Sequence, residues 1–573
     1  MIREGVDFEP PFTTADEATL SILRDGAGNP LVRVYPGGRV VLTTFDGLDR
    51  ATQIAVGAQS IASITSIGRR VAAVEYGAAV IAAFSWEGSA PSATSFGVRR
   101  LAESSVTGPS GVIDHRSYRW DRNQNRVQTT DLRVGGPQQQ LSLDYDALDR
   151  LVASTIEDAG GAPVDETVYT LDRVGNRVTV DGAAYTSNPS DAAVNEYTTT
   201  PFGTVDRDAN GNLIERLGAT LTYDGRNRLV EWSSSGGIRH RFRYDAFGRR
   251  VAEVIDVDGV AGSPFERRLL YDGWQVIEEQ EDDGDTIATY IYGRGLDEVL
   301  QMRRYGVDSF LHADAHGSIV AATDASGSVV ERYEYDDFGF PTILSPSGAV
   351  RSASWIGNRI LFAGRRWDAE TELYDYRYRL LDPVLGRFVS RDPLGAFADG
   401  ASLGNATTWV GNNPLTHRDP FGLEEEVSSS PEEELPPPLV KRRARVCQGP
   451  GCDEAHGDPE RDPTPEIEPP AEPTVEDPVV EDDAEPDEYE DAKKDAERRE
   501  AEDEIEDLPP EDIDDLPEPD WRDFRGKLPA GVSTSHPLPG FEGRLLQKEI
   551  REAQQREREK EEAKKEEKQR KKE

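Results

Sequence analysis

Cysteine is nearly absent: the 573 residues contain two, Cys447 and Cys452. No disulfide framework can support the fold, so a sizeable apolar core must do so. The pair in CQGPGC can bridge or bind metal, but it lacks the second pair that a four-ligand zinc site needs. Methionine is equally scarce, with two residues against eight Trp and 52 Gly. That balance points to an irregular, β-rich chain, since helical cores usually spend more Leu and Met. Long apolar runs are missing too. The most apolar stretch, Val71 to Trp86, contains Glu75 and is too short to span a bilayer. The start, MIREGVDFEP, has no basic-then-apolar order, so no signal peptide is expected. Positive charge is outnumbered, 65 Lys and Arg against 108 Asp and Glu, for a net charge of -43. Such a body repels nucleic-acid phosphates and anionic lipid, and neither is an expected partner.

The charge is unevenly placed. Residues 424–573 carry 49 acidic and 24 basic side chains; residues 1–423 carry 59 and 41. Leu423 is therefore the largest compositional border. Beyond it, 424–540 is acidic and Pro-rich (LPPPL, PTPEIEPPAEP, DLPPEDIDDLPEPD). Low hydrophobicity with high charge predicts disorder there. The KRRAR island at 441–445 reads as a solvated, protease-accessible patch. The segment 521–546 holds Trp521 and Phe524 and has the character of a short docking motif. Residues 541–573 are helix-forming and almost wholly polar, which predicts an exposed charged helix without a coiled-coil seam. The tail has no nucleophile elbow, phosphate loop, HExxH motif or dense His cluster, so no cofactor and no toxin chemistry is expected from it.

Upstream of the border one motif recurs: an aromatic, Asp, two spacers, then Gly, Asp or Asn, and Arg. It stands as FDGLDR at Phe45, YDALDR at Tyr145, YDGRNR at Tyr223 and YDAFGR at Tyr244. Looser copies start at Trp120, Leu171 and Asp206. Each is followed by an alternating run such as RLVEW or RRVAEV, the mark of a half-buried strand. The motif core reads as a turn in which Asp accepts backbone N–H bonds and Gly or Asn takes positive φ. The Arg pairs with the turn Asp or a main-chain carbonyl. One hairpin has too little apolar face to stand alone, so neighbours must pair sideways. Rows of turn Asp also suggest calcium, but the D-x-D-x-D spacing is missing. His312 and His316, four apart in LHADAHGSIVAATD, would suggest zinc on a helix. Flanking Gly and β-branched residues argue for strand and turn, which makes this pair structural.

The densest punctuation lies in FAGRRWDAETELYDYRYRLLDPVLGRFVSRDPLG from Phe362 and GNNPLTHRDPFGL up to Leu423. By residue type alone, DPLG and DPFG are Asp-Pro turns. Together with HADAHGSIVAATDASGSVVERYEYDDFGFP, these pieces resemble the Rhs repeat-associated core, and the upstream repeats resemble the YD repeats of the Rhs/YD-repeat superfamily. The resemblance is strong over 311–423 and weaker back to Phe45. It implies an all-β fold, with spiralling antiparallel strands forming a full or partial shell that the core segment plugs or rims. The implied organisation is a degenerate β segment at 1–44, repeats at 45–310, the core at 311–423, the disordered tail at 424–540 and the helix at 541–573.

In characterised members the chain is cut just after the DP-x-GL motif, and the C-terminal piece, often a toxin, stays inside the shell. Here that bond is Leu423–Glu424. The resemblance assigns the cut to an aspartate pair, Asp392 and Asp419, with Arg391 beside the first. Two close carboxylates cannot both ionise, so one keeps a proton while the other activates water. Any such activity is a single turnover in cis, and the chain's own C-terminal segment is its partner. The rival expectations are a non-catalytic surface or secreted module that binds protein or carbohydrate, and a degenerate remnant whose toxin was lost. The family works outside its own cytoplasm, so a secreted or cell-surface location is implied, by a route the sequence does not name.

Overall fold

The computed structural model of the chain describes residues 2–6, 18–88, 100–133, 138–188, 194–257, 264–396, 400–423 and 426–427. The described residues belong to one compact unit and are almost entirely antiparallel strand. Alternation sets the strands. In Ile238–Tyr244, His240 and Phe242 are buried, while Arg239, Arg241 and Arg243 lie on the exposed face. Each strand pairs with its sequence neighbours. Sixteen run from Ile2–Val6 to Ala183–Ala184, and seventeen from Thr186–Ser187 to Val350–Arg351. The sheet break thus falls inside the repeat stretch, and the second sheet continues through residue 311. Ile2–Val6, Ala18–Arg24, Pro30–Val34 and Val40–Phe45 are the first four strands of the first sheet.

The repeat motif has a physical explanation in its turns. Asp245 Oδ1 accepts the N–H groups of Phe247 and Arg249, each at 2.9 Å, and Oδ2 accepts Arg249 Nε at 2.7 Å. Gly248 sits at φ 89°, where its lack of Cβ matters. Asp46, Asp146 and Asp224 repeat this geometry. Where Asn replaces Arg, as at Asn176 and Asn212, the amide takes the same carboxylate oxygen. The turn carboxylates are thus occupied by the chain's own donors.

The aromatic and the Arg then tie one repeat to the next. Tyr244 Oη donates to the Leu229 carbonyl at 2.7 Å, and Tyr271 Oη to that of Arg250 at 2.6 Å. The guanidinium of Arg228 lies over the Tyr244 ring at 4.7 Å, and that of Arg249 over Tyr271 at 5.0 Å. At the Asp46, Asp146, Asp224 and Asp245 turns the ladder slips by one residue, as where Arg243 faces Ala252 but Tyr244 faces Arg250. Such bulges add twist to the strands.

The two large sheets pack on each other. Tyr35 Oη donates to the Tyr290 carbonyl at 2.8 Å, and Arg33 pairs with Asp272. Ile22, Val41 and Ile61 meet Ile277, Leu300 and Phe310 in one apolar cluster. A third, four-stranded sheet runs from Arg366–Asp368 to Arg387–Phe388. Its Trp367, Tyr374 and Leu381 fill a second cluster with Leu151 of the first sheet and Tyr290 of the second. The segment that follows threads the same interior. Trp409 is fully buried, with ring contacts to Phe338, Phe362 and Tyr376. Burial of a side chain this size contributes roughly 2–3 kcal/mol. The Cys pair, KRRAR and the predicted disordered tail and helix lie outside the described residues, save the two-residue strand Glu426–Val427.

Candidate functional site

The segment that ends at Leu423 is gripped by three consecutive residues. Arg377 donates to the Pro420 carbonyl, the Tyr378 N–H to the Phe421 carbonyl at 3.1 Å, and Arg379 Nε to the Gly422 carbonyl. Arg377 is itself fixed by Asp297, 2.7 Å away, and its guanidinium lies over the Phe421 ring at 4.9 Å. Arg365, also on Asp297, joins Arg377 in holding that carboxyl below its ordinary range against the opposing effect of burial. Phe421 packs edge-on to Trp274. Gly422 takes φ 70°, and a Cβ there would stand 2.7 Å from the Tyr376 carbonyl oxygen. Only glycine fits this position.

Asp392 and Asp419 converge on Arg379. Its Nη2 lies 3.1 Å from Asp392 Oδ2 and 3.4 Å from Asp419 Oδ2. Nη1 donates to the Ala406 carbonyl at 3.1 Å, and the guanidinium covers the Phe388 ring at 3.7 Å. All three side chains are buried. Burial pushes the Asp419 carboxyl up to about 6, against the pull of Arg379 and of the Leu423 and Gly422 N–H groups, with Asp392 adding to the rise. Asp419 Oδ1 accepts the Leu423 N–H at 2.9 Å, and Asp392 Oδ1 accepts that of Leu394 at 2.7 Å. Gly395 and Gly422 close turns onto the carbonyls of Asp392 and Asp419. The two Asp-Pro turns are therefore also what aims the two carboxylates at one cation.

Of the three residues singled out from the sequence, the structure brings together the two aspartates and sends the third elsewhere. Arg391 Nη2 pairs with Glu196 Oε1 at 2.8 Å and is partly exposed. The cation between the aspartates is Arg379, which sequence reasoning missed. No local signal marked it, because it lies in another strand, Arg379–Asp382. A small crevice lined by Asn227, Arg228, Tyr378 and Ser390 borders this cation. His312 and His316 are buried apart from the aspartates: His312 Nε2 bonds Thr323 Oγ1 at 2.9 Å, and His316 packs on Phe362. Among the described residues no group of three or more His, Cys, Asp or Glu side chains is placed to hold a metal.

A repeat-built β shell, with the carbonyls of residues 420–422 held by residues 377–379, defines the class. The sequence model of the Teneurin YD-shell family matches residues 104–400, just over half of the chain. The chain belongs to that family. It is 32% identical over 287 residues to the tRNA3(Ser)-specific nuclease WapA of Bacillus spizizenii, covering 48% of this chain and 12% of that protein. It is 28% identical over 267 residues to toxin protein Tse5 of Pseudomonas aeruginosa, covering 38% and 18%. The matches thus span less than a fifth of the length of these relatives. Among solved structures, TcdB2-TccC3 without its hypervariable C-terminal region superposes with a TM-score of 0.58 at 22% identity, over 71% of this chain and 22% of that one. That likeness concerns the fold.

Proposed function

We propose that this chain is an Rhs-type shell that holds its own C-terminal segment and cuts the Leu423–Glu424 bond once, in cis. The observation that carries this reading is the joint seat of Asp392 and Asp419 on Arg379, at the point where Gly422 and Leu423 are clamped. Asp419, with its raised pKa, supplies the neutral carboxyl. Asp392, beside the Arg379 guanidinium, supplies the carboxylate. Water adds to the Leu423 carbonyl carbon and gives a proton to Asp392, while Asp419 donates to the carbonyl oxygen. As the C–N bond breaks, Asp392 passes the proton it took from water to the nitrogen of Glu424 and Asp419 recovers one from the added hydroxyl, leaving a carboxyl group on Leu423 and an α-amino group on Glu424. Arg379 pairs with Asp392 and offers positive charge to the developing oxyanion.

The released piece, from Glu424 on, is the partner of the shell. Relatives whose names describe a toxin and a nuclease support a secreted or surface setting for this chain; among the described residues no helix is long and apolar enough to cross a membrane. N-terminal sequencing of the purified chain tests the reading. A second terminus beginning EEEVSSS supports it, and a single terminus overturns it.

A second reading is a binding module without catalysis, displayed to a protein or carbohydrate ligand. Trp355 favours it: the ring is 73% exposed and carries the Arg351 guanidinium at 5.7 Å. Exposed aromatic and Arg surfaces of this kind suit both ligand types.

A further inference from the structure

The residues after the proposed cut do not simply leave the site. Glu426–Val427 returns antiparallel to His417–Arg418, with His417 opposite Val427 and Arg418 opposite Glu426. Only Glu424 and Glu425 separate Leu423 from this strand. In the chain the Leu423–Glu424 bond falls between these two paired strands, with Asp419 directly after the first.

The template strand is fixed to the body of the fold. The Arg126 N–H donates to Thr416 Oγ1 at 3.0 Å, and Asn413 Nδ2 donates to Asn125 Oδ1 at 2.7 Å. The His417 N–H bonds the Asn413 carbonyl at 3.1 Å. On the other side, Arg418 Nη1 lies 3.0 Å from where a Cβ of Gly317 would stand. Upstream of the bond, residues 377–379 grip the carbonyls of Pro420, Phe421 and Gly422. The chain is thus held through its main chain at 420–422, before the bond, and at 426–427, after it.

We infer that Glu426–Val427 is a docking strand whose main-chain pairing to His417–Arg418 sets the register of the Leu423–Glu424 bond on the aspartates. This rests on the self-cleavage reading and names its specificity determinant. Strand pairing reads backbone N–H and C=O groups and is indifferent to the outward side chains. Proline removes the donor and cannot continue the ladder, whereas alanine keeps both.

The test uses the full chain in three forms: wild type, Glu426→Ala with Val427→Ala, and Glu426→Pro with Val427→Pro. The fraction cut is followed by mass over time after purification. The expected result is that the alanine form is cut like wild type, while the proline form is slowed at least tenfold. Hydrogen exchange across Val307–Ala313 and Leu373–Tyr376 verifies that the proline form is folded. In the uncut Asp392→Asn chain, the ladder amides should be protected, and the added prolines should remove that protection. If all three forms are cut alike, or the alanine form fails as the proline form does, the docking-strand inference is overturned while self-cleavage stands. An uncut wild type overturns both.

Discussion

Arg379 and Asp419 are 40 residues apart in the chain and 3.4 Å apart across the site. The same guanidinium nitrogen reaches Asp392, and Nε of the same side chain holds the Gly422 carbonyl. One cation thus links both acids to the peptide that they are proposed to act on. Arg379→Met should leave two buried carboxylates without their shared partner, raise the pKa of Asp419 further, and abolish cutting. Arg391→Ala removes only a partly exposed pair with Glu196, worth about 0–1 kcal/mol, and should cut like wild type. Fragment yield on a denaturing gel compares the two; cutting by the Arg379 variant, or its loss in the Arg391 variant, would return the role to Arg391.

The acid limb of the proposed reaction needs a neutral Asp419, whose pKa is pushed up to about 6. Below that pH the carboxyl is protonated. Above it, the neutral fraction falls about tenfold per pH unit. Cutting by freshly refolded protein should therefore slow steadily from pH 6 to pH 8. A rate that rises over this interval would remove Asp419 as the acid.

His312 makes an independent pH prediction for the fold. Burial lowers its pKa from 6.5 to about 3. The folded state keeps the ring neutral while the unfolded chain takes up a proton below 6.5. This contribution is therefore present above pH 6.5 and is lost as pH falls toward 3. At about 1.4 kcal/mol per pH unit, it amounts to about 3 kcal/mol between pH 7 and pH 4. His312→Gln should be less stable than wild type at pH 7 and should close that gap by about this amount at pH 4. Denaturant midpoints at the two pH values measure it; a gap that stays constant contradicts the buried neutral ring.

The turn chemistry should be worth as much as any core contact of its size. Asp245→Ala leaves the Phe247 and Arg249 N–H groups and the Arg249 guanidinium without their acceptor, a loss of about 1–3 kcal/mol. Tyr271→Phe deletes the bond to the Arg250 carbonyl and should cost about 1–2 kcal/mol. Thermal unfolding of each variant against wild type checks both.

Much of this was legible in the sequence, and the limits have physical causes. In YDAFGR the Asp, Gly and Arg act within five residues, so turn geometry alone predicts Asp245, Gly248 and Arg249. The bond from Tyr271 to the preceding repeat was not legible, because the spacing between repeats varies. Asp392 and Asp419 were marked by the family resemblance; by residue type alone each is the first residue of an Asp-Pro turn. Arg391 was the cation that the resemblance placed beside the first aspartate, but it is partly exposed on Glu196 while Asp392 is buried. Arg379 becomes a neighbour only through the pairing of the small sheet. Trp409 was visible as an aromatic in the 23-residue stretch between the two Asp-Pro motifs; its place among Phe338, Phe362 and Tyr376 came only with the structure.

Gly422 separates a positioned peptide from a merely nearby one. Gly422→Ala meets the Tyr376 carbonyl, whereas Gly395→Ala, also at positive φ, meets nothing within 4 Å. Both carry the strain of a left-handed residue, about 1–2 kcal/mol. Only the first should displace the Leu423 peptide and slow cutting at least tenfold. Time courses of fragment formation distinguish them, and equal rates would show that the clamp is not needed.

The most direct measurement is the intact mass of the freshly purified chain beside Asp392→Asn and Asp419→Asn. The account predicts two wild-type fragments, 1–423 and 424–573, whose masses sum to the whole chain plus one water, with both variants whole. A wild-type chain of full mass, or variants cut at the same bond, would contradict it.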